Sequence, residues 1–363
     1  MWDLSKLGWE SYWQKEWTKL NLPERVPARV IAEHRGKYVV ATQGGELLAQ
    51  VTGRLRHRAQ GRADLPAVGD WVAIEARLDE GRATIHAVLP RRSRFARKEA
   101  GRRTDEQVIA ANVDTVFVVT SLNQDLNPRR VERYLAQVWE SGATPLVVLN
   151  KADLCDPEQA TALAAEVETS AMRVPVLRVS AVTGAGFDEL TGFLAPGRTI
   201  ALLGSSGVGK STIINRLLGR DAQAVRDIRG GDDRGRHTTT VRQLFVLSVG
   251  ALMIDTPGMR ELQLWGEGAG LDRTFGDLDE LARGCRFPDC GHQSEPGCAI
   301  QAALADGALD AERLESWRKL QRELVFLERK RDAGLQSAER AKWKQIHREM
   351  RRTYKERDKP SRG

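Results

Sequence analysis

Residues 199–219 read TIALLGSSGVGKSTIINRLLG, and the segment Gly204-Ser205-Ser206-Gly207-Val208-Gly209-Lys210-Ser211 within them matches GxxxxGK[ST]. An apolar β-type run precedes the motif and a helical pattern follows it. In that setting glycines let backbone N–H groups turn inward around phosphate oxygens, and the helix N-terminus adds its positive end. Lys210 is then placed to reach the β- and γ-phosphates as a catalytic group, and Ser211 to ligate Mg²⁺. The expected nucleotide contacts run from Gly204 through Thr212.

The flanking sequence carries the same pattern outward. Strand-like runs at 113–120 (VDTVFVVT), 145–150 (PLVVLN), 174–181 (VPVLRVSA), 240–247 (TVRQLFVL) and 251–255 (ALMID) accompany the one at 199–203. Helical patterns at 128–142, 157–171 and 187–194 separate several of them. Continuous apolar strands alternating with helices predict an α/β fold with a mostly parallel, doubly wound sheet.

A phosphate loop does not choose a base. Asn150-Lys151-Ala152-Asp153, at the end of PLVVLN, resembles the NKxD element of the GTPase superfamily. A carboxylate at Asp153 can accept both donors of guanine N1 and N2, which adenine does not offer; this disfavours an ATPase. The Lys151 stem packs on the base and Asn150 buttresses the loop. Ser180-Ala181 resembles the partner element whose backbone contacts the guanine oxygen. Asp255-Thr256-Pro257-Gly258 matches DxxG, with Asp255 expected to hold Mg²⁺ through water and Gly258 to sense the γ-phosphate. Between the phosphate loop and DxxG, the polar segment GGDDRGRHTTT suits a switch, and one of Thr238, Thr239 or Thr240 is expected on Mg²⁺. Thr239 is the choice among them. Met259 stands where many GTPases carry the water-orienting glutamine, so either another residue acts, with His237 beside the threonines the best candidate in the chain, or a partner supplies the group.

The order is unusual. This chain reads NKAD, SA, phosphate loop, threonines, DTPG, whereas the superfamily places the phosphate loop first. The same three-dimensional site follows if the chain is circularly permuted.

The regions outside this unit have their own signatures. Five short β-type runs between about 27 and 95 predict an OB-like barrel, read either as an oligonucleotide binder or as a structural module. Residues 1–20 read as an amphipathic helix. Four cysteines occur, and three of them, Cys285, Cys290 and Cys298, cluster with His292. Three thiolates and an imidazole suit a closed, tetrahedral, structural zinc site. The net charge is +7, with basic runs at 91–103 and 341–363 that favour a polyanionic partner. No apolar stretch has the length of a membrane span, and residues 1–17 lack the layout of a signal peptide. A cytoplasmic protein, not membrane-bound, is expected, and nothing in the sequence demands more than a monomer. The anticipated division is 1–26 helical segment, 27–97 barrel, 98–265 permuted GTPase unit and 266–363 zinc-binding helical region.

With these residues in view, the chain resembles the small ribosomal subunit biogenesis GTPase family, RsgA (also called YjeQ). The resemblance is carried by VGDWV (68–72), PRRSRF (90–95), NKAD, GSSGVGKST, GRHTTT, DTPGMRE and the C-x4-C-x-H-x5-C cluster. It implies an N-terminal OB domain, a permuted GTPase domain and a C-terminal zinc domain. It also implies a protein that binds GTP and GDP, engages the small ribosomal subunit and its rRNA late in maturation, is stimulated by it, and leaves after hydrolysis. His237 matches the histidine of GRHTTT. A GTPase acting on a protein or membrane target, with the barrel as adaptor, and an RNA-binding scaffold are the competing readings.

Overall fold

The computed structural model describes residues 3–34, 36–98, 106–123, 126–219, 242–255, 268–331 and 343. His237, Thr238, Thr239, Thr240, Gly258 and Met259 lie outside the described residues. A 3-10 turn (Leu4–Leu7) and helix α1 (Ser11–Leu20) come first, so the helical reading of 1–20 is broken at Gly8.

Strands β1 (Val26–His34), β2 (Lys37–Thr42) and β3 (Gly45–Val51) follow, then helix α2 (Gly53–Arg58), β4 (Trp71–Arg77) and β5 (Arg82–Val88). β3 pairs with β5 in parallel, every other pairing is antiparallel, and β4 returns to β1. The circuit β1-β2-β3-β5-β4-β1 is the closed five-stranded OB arrangement. Val30, Val40, Ile74 and Ile85 fill its interior and are fully buried. The run ELLAQVTGRL reads as one strand in sequence, but the strand stops at Val51. Thr52 Oγ1 accepts the Leu55 N–H at 3.1 Å and caps α2 instead.

Next come a hairpin of β6 (Arg94–Lys98) and β7 (Glu106–Ala111), which the sequence did not announce, and the α/β unit. That unit contains β8 (Thr115–Ser121), α3 (Pro128–Ser141), β9 (Thr144–Asn150), α4 (Pro157–Ala171), β10 (Val176–Arg178) and α5 (Phe187–Thr191). It continues with β11 (Thr199–Leu203), α6 (Lys210–Leu218), β12 (Arg242–Val246) and β13 (Leu252–Asp255). The sheet order is β10-β9-β8-β11-β13-β12, parallel except for the β12–β13 pair. Alternate residues of each strand face opposite layers. Val116 and Val118 of β8 pack with α3 and α4, while Phe117 and Val119 pack with α5 and α6. Burying each such side chain contributes about 1.5–3 kcal/mol, which is why these runs are apolar throughout. Asn127 caps α3 through its Oδ1, and Pro128 fills the first helical position.

Barrel and sheet are joined through β1. Its first half, Val26–Arg29, pairs with β4 to close the barrel, while Ala32 and Glu33 pair with β12. An ion pair between Arg242 and Glu33 (2.9 Å) reinforces this seam, and eleven strands form one continuous sheet. Arg29 is buried at the junction. Its guanidinium donates to the carbonyls of Gly69, Leu7 and Asn112 and, at 2.7 Å, to Thr199 Oγ1. Burial brings its pKa down to about 10, with Asp114 and Asp70 opposing, so it stays cationic at neutral pH. Trp9 and Trp13 close over Trp71, with ring centroids 4.7 and 6.3 Å apart. Beyond the sheet lie α7 (Ala269–Thr274), α8 (Gly276–Ala282), α9 (Ala299–Ala305) and α10 (Ala311–Arg331) around their own core. The basic run at 341–363 lies outside the described residues, Trp343 apart.

A close backbone approach in this frame is at Gly69. Its φ is +93°, and a Cβ there would stand 2.0 Å from the Ala111 carbonyl oxygen. Gly69→Ala should therefore destabilise the protein by at least about 2 kcal/mol, since left-handed strain and the clash act together. Urea unfolding of parent and variant measures this directly.

Candidate functional site

β11 is buried along its length and ends in the phosphate loop, from which α6 departs. Ser206, Gly207, Ser211 and Thr212 are exposed around the loop mouth, whereas Val208 is buried beneath it. The Lys210 ammonium lies over the loop and donates to the carbonyls of Gly204 (2.8 Å) and Ser205. Asp255 ends β13, the strand beside β11. Burial pushes its carboxyl up from the usual range, and the nearby Lys210 pulls it partly back.

The base elements reach the loop through one side chain. Asn150 is buried; its Nδ2 donates to the Val208 carbonyl at 2.9 Å, and its Oδ1 accepts the Ala181 N–H at 3.0 Å. NKAD, SA and the phosphate loop thus meet at one carboxamide. The fit is tight, because a Cβ on Gly209 (φ +95°) would fall 2.2 Å from Asn150 Nδ2. Lys151 adopts a left-handed backbone (φ 63°), which turns the chain into a 3-10 turn bearing the exposed Asp153. The Ala152 N–H is pinned to the Val179 carbonyl at 3.1 Å. Ser180 is buried, and its Oγ accepts the Thr183 N–H at 3.1 Å, shaping the loop around Ala181.

Arg216 was not singled out from sequence, yet it is a second strut. From α6 its guanidinium donates to the carbonyls of Ala181 (3.2 Å), Val182 (3.2 Å) and Thr183 (3.3 Å). The only sequence signal was a basic residue on the helix after the phosphate loop, which is too common to decide anything.

The second candidate site joins Cys285, Cys290, His292 and Cys298, whose ligand atoms all lie within 4.8 Å of one another. Sγ of Cys285 and Sγ of Cys298 are 3.9 Å apart, and each stands 3.5 Å from His292 Nδ1. A tetrahedral zinc with metal–sulfur bonds of about 2.3 Å and a metal–nitrogen bond of about 2.0 Å has S···S edges of about 3.8 Å and S···N edges of about 3.5 Å. The donor set can therefore hold such an ion, and the sulfur separation is too long for a disulfide. At Cys285 burial is outweighed by the N–H groups of Ala299 and Ile300, and the thiol pKa falls; burial pushes Cys290 up to about 11. Ionising Cys290 at neutral pH thus calls for a nearby cation. The knuckle is held by the Glu295 carboxylate, which accepts the N–H groups of Gly291 (2.9 Å), Gln293 (2.8 Å) and Ser294 (3.0 Å). The His292 carbonyl accepts Gln301 Nε2 (2.7 Å) and Arg318 Nη2 (2.5 Å) from α9 and α10.

The basic run at 91–103 is partly internal. Arg91 forks onto the buried Asp70 (2.9 and 2.7 Å), and Arg92 pairs with Glu10 and stacks over Tyr12. On the barrel, Arg54, Arg56 and Arg58 of α2 are exposed instead. Removing the central carboxamide tests the clamp. Asn150→Ala leaves a buried carbonyl and a buried N–H unpaired, so stability should drop by about 2–4 kcal/mol in urea unfolding.

Known proteins are similar to this chain over most of its length. The family model described as RsgA GTPase matches residues 88–265. The small ribosomal subunit biogenesis GTPase RsgA of Opitutus terrae is 49% identical over 357 residues, covering 96% of this chain and 97% of that protein. Its namesake in Syntrophotalea carbinolica is 45% identical over 362 residues, covering 98% of each. The crystal structure of YjeQ from Thermotoga maritima is 26% identical with a TM-score of 0.62, covering 83% of this chain and 99% of that one. With identity of this level sustained across 96% of its length, the chain belongs to the family of small ribosomal subunit biogenesis GTPases, RsgA.

Proposed function

We propose that this GTPase binds the small ribosomal subunit late in its maturation, hydrolyses GTP slowly alone and faster on the subunit, and leaves once GDP has formed. The observation that carries the reading is the 49% identity, over 96% of the chain, to the Opitutus terrae protein of that name. The site geometry supports it, because the elements expected to bind guanine and phosphate meet at Asn150.

In this reading Asp153 selects guanine and Lys151 flanks the base, while the Ala181 N–H meets the guanine oxygen. Gly204 to Thr212 cradle the phosphates, and Lys210 neutralises charge on the β- and γ-oxygens. Ser211, Thr239 and Asp255 would hold Mg²⁺, which supplies charge neutralisation at the transferred phosphoryl group. Gly258 senses the γ-phosphate, and His237 orients the attacking water.

Cys285, Cys290, His292 and Cys298 hold one zinc, whose role is structural because four protein ligands leave no open position. The exposed guanidinium groups of α2 give the barrel a basic face for rRNA phosphates. The protein works in the cytoplasm as a monomer, without membrane attachment; among the described residues no helix is long and apolar enough to cross a membrane. The units are divided at 26/27, 97/98 and 265/266.

The deciding experiment is GTP turnover by the purified protein, alone and with small or large ribosomal subunits, with ATP as control. Stimulation by the small subunit only, on the order of tenfold or more, is the expected outcome. Equal turnover in every condition would return the lead to a protein or membrane target with the barrel as adaptor. Elemental analysis of the same preparation should find zinc, and Cys290→Ser should lose it and melt at lower temperature.

A further inference from the structure

Helix α3 faces the phosphate loop on one side and the C-terminal helices on another. Arg130 Nη1 donates to Ser205 Oγ at 3.3 Å, and the Tyr134 hydroxyl lies 3.2 Å from the same oxygen. Both groups reach the loop from outside the phosphate cradle, through a side chain rather than through its N–H groups. The residues are four apart, so they share one stripe of the helix.

A neighbouring stripe holds the C-terminal helices. Arg133 forks onto Glu323 of α10 at 2.7 and 2.6 Å. Glu132, fully buried, accepts Arg313 Nη1 at 2.8 Å, and Arg313 forks onto Asp277 at 2.7 Å through both nitrogens. Glu140 accepts the Gly270 N–H at 2.8 Å, and Ala136 belongs to the same apolar core as Leu271, Phe275 and Trp317. A packed helix moves as a unit, so a shift on one stripe is felt on the other.

We propose that Arg130 and Tyr134 are positioning residues for the phosphate loop, and that through them the C-terminal helices set how tightly the loop holds the nucleotide. Coupling of this kind is reciprocal, so the bound nucleotide equally sets the hold of α3 on the C-terminal helices. The route runs through folded contacts and needs no tension along residues 256–267. It rests on the reading that the phosphate loop binds guanine nucleotide.

The test uses the full chain and fluorescent GDP. Glu323→Gln removes the far anchor without touching the loop, and Ser205→Ala removes both inner contacts while keeping the backbone cradle. Each should speed GDP release and raise KM for GTP about threefold to tenfold, and Glu323→Gln, which lies outside the nucleotide site, should keep kcat at saturation within about twofold of the parent. The double variant should be no weaker than Ser205→Ala alone, because the shared link is already cut. Arg133→Gln, which removes the other partner of the same fork, should repeat the Glu323→Gln result, and Glu315→Gln on the exposed face of α10 should match the parent. A Glu323→Gln protein indistinguishable from Glu315→Gln overturns the proposal, as does a double variant whose effects multiply. A parent protein that does not bind GDP would overturn the function reading itself.

Discussion

The three loops of the candidate nucleotide site meet at a single carboxamide. Asn150 gives its N–H to the phosphate loop and its oxygen to the loop after β10, and both bonds are buried. Neither bond follows chain connectivity: the partners lie 58 and 31 residues away. A site built this way is indifferent to the order in which its segments are strung, provided that they return to the same edge of the sheet. Arg216 adds a second tie to the loop after β10, made from α6, the helix that follows the phosphate loop. The permuted order is therefore compatible with these contacts. Coordinates are enforced by cross-links between loops, and the covalent path only has to reach them.

Charge is divided between inside and outside in a way the net value conceals. Arg29, Arg91 and Arg313 are turned inward, each anchored by several acceptors, and they serve the joints between units. The exposed guanidinium groups of α2 belong to a different class, since they lie at the surface of the barrel. Counting basic residues therefore overstates the surface available to a polyanion, and position relative to the joints decides which charges reach it.

Much of this was legible in the sequence, for identifiable reasons. β8, β9 and β11 are buried on both faces, so their apolar runs announce a central sheet whatever surrounds them. The phosphate loop and the cysteine cluster are local patterns whose spacing carries the chemistry. What stayed hidden depends on distant partners. Arg92 reads as one more member of a basic run until Glu10 and Tyr12 are placed against it. The β6–β7 hairpin is short and mostly polar on β6, so only its pairing defines it. The α2 helix was masked by the apolar run before it, and the capping bond of Thr52, rather than any periodicity, marks where the strand ends.

The seam between β1 and β12 has a consequence for biosynthesis. Glu33 and its partner Arg242 are 209 residues apart, so the outer half of β1 is translated long before the strand that will cover it. At roughly 5–20 residues per second that interval is on the order of 10–40 s. The barrel can close through β4 in the meantime, because that pairing uses the other half of β1. Until β12 emerges, the side of β1 that it will cover remains an open sheet edge, although β2 already pairs with the other side. Continuity of the eleven-stranded sheet is therefore a late event in the life of the nascent chain, and the NKAD loop is translated before the phosphate loop it will be tied to.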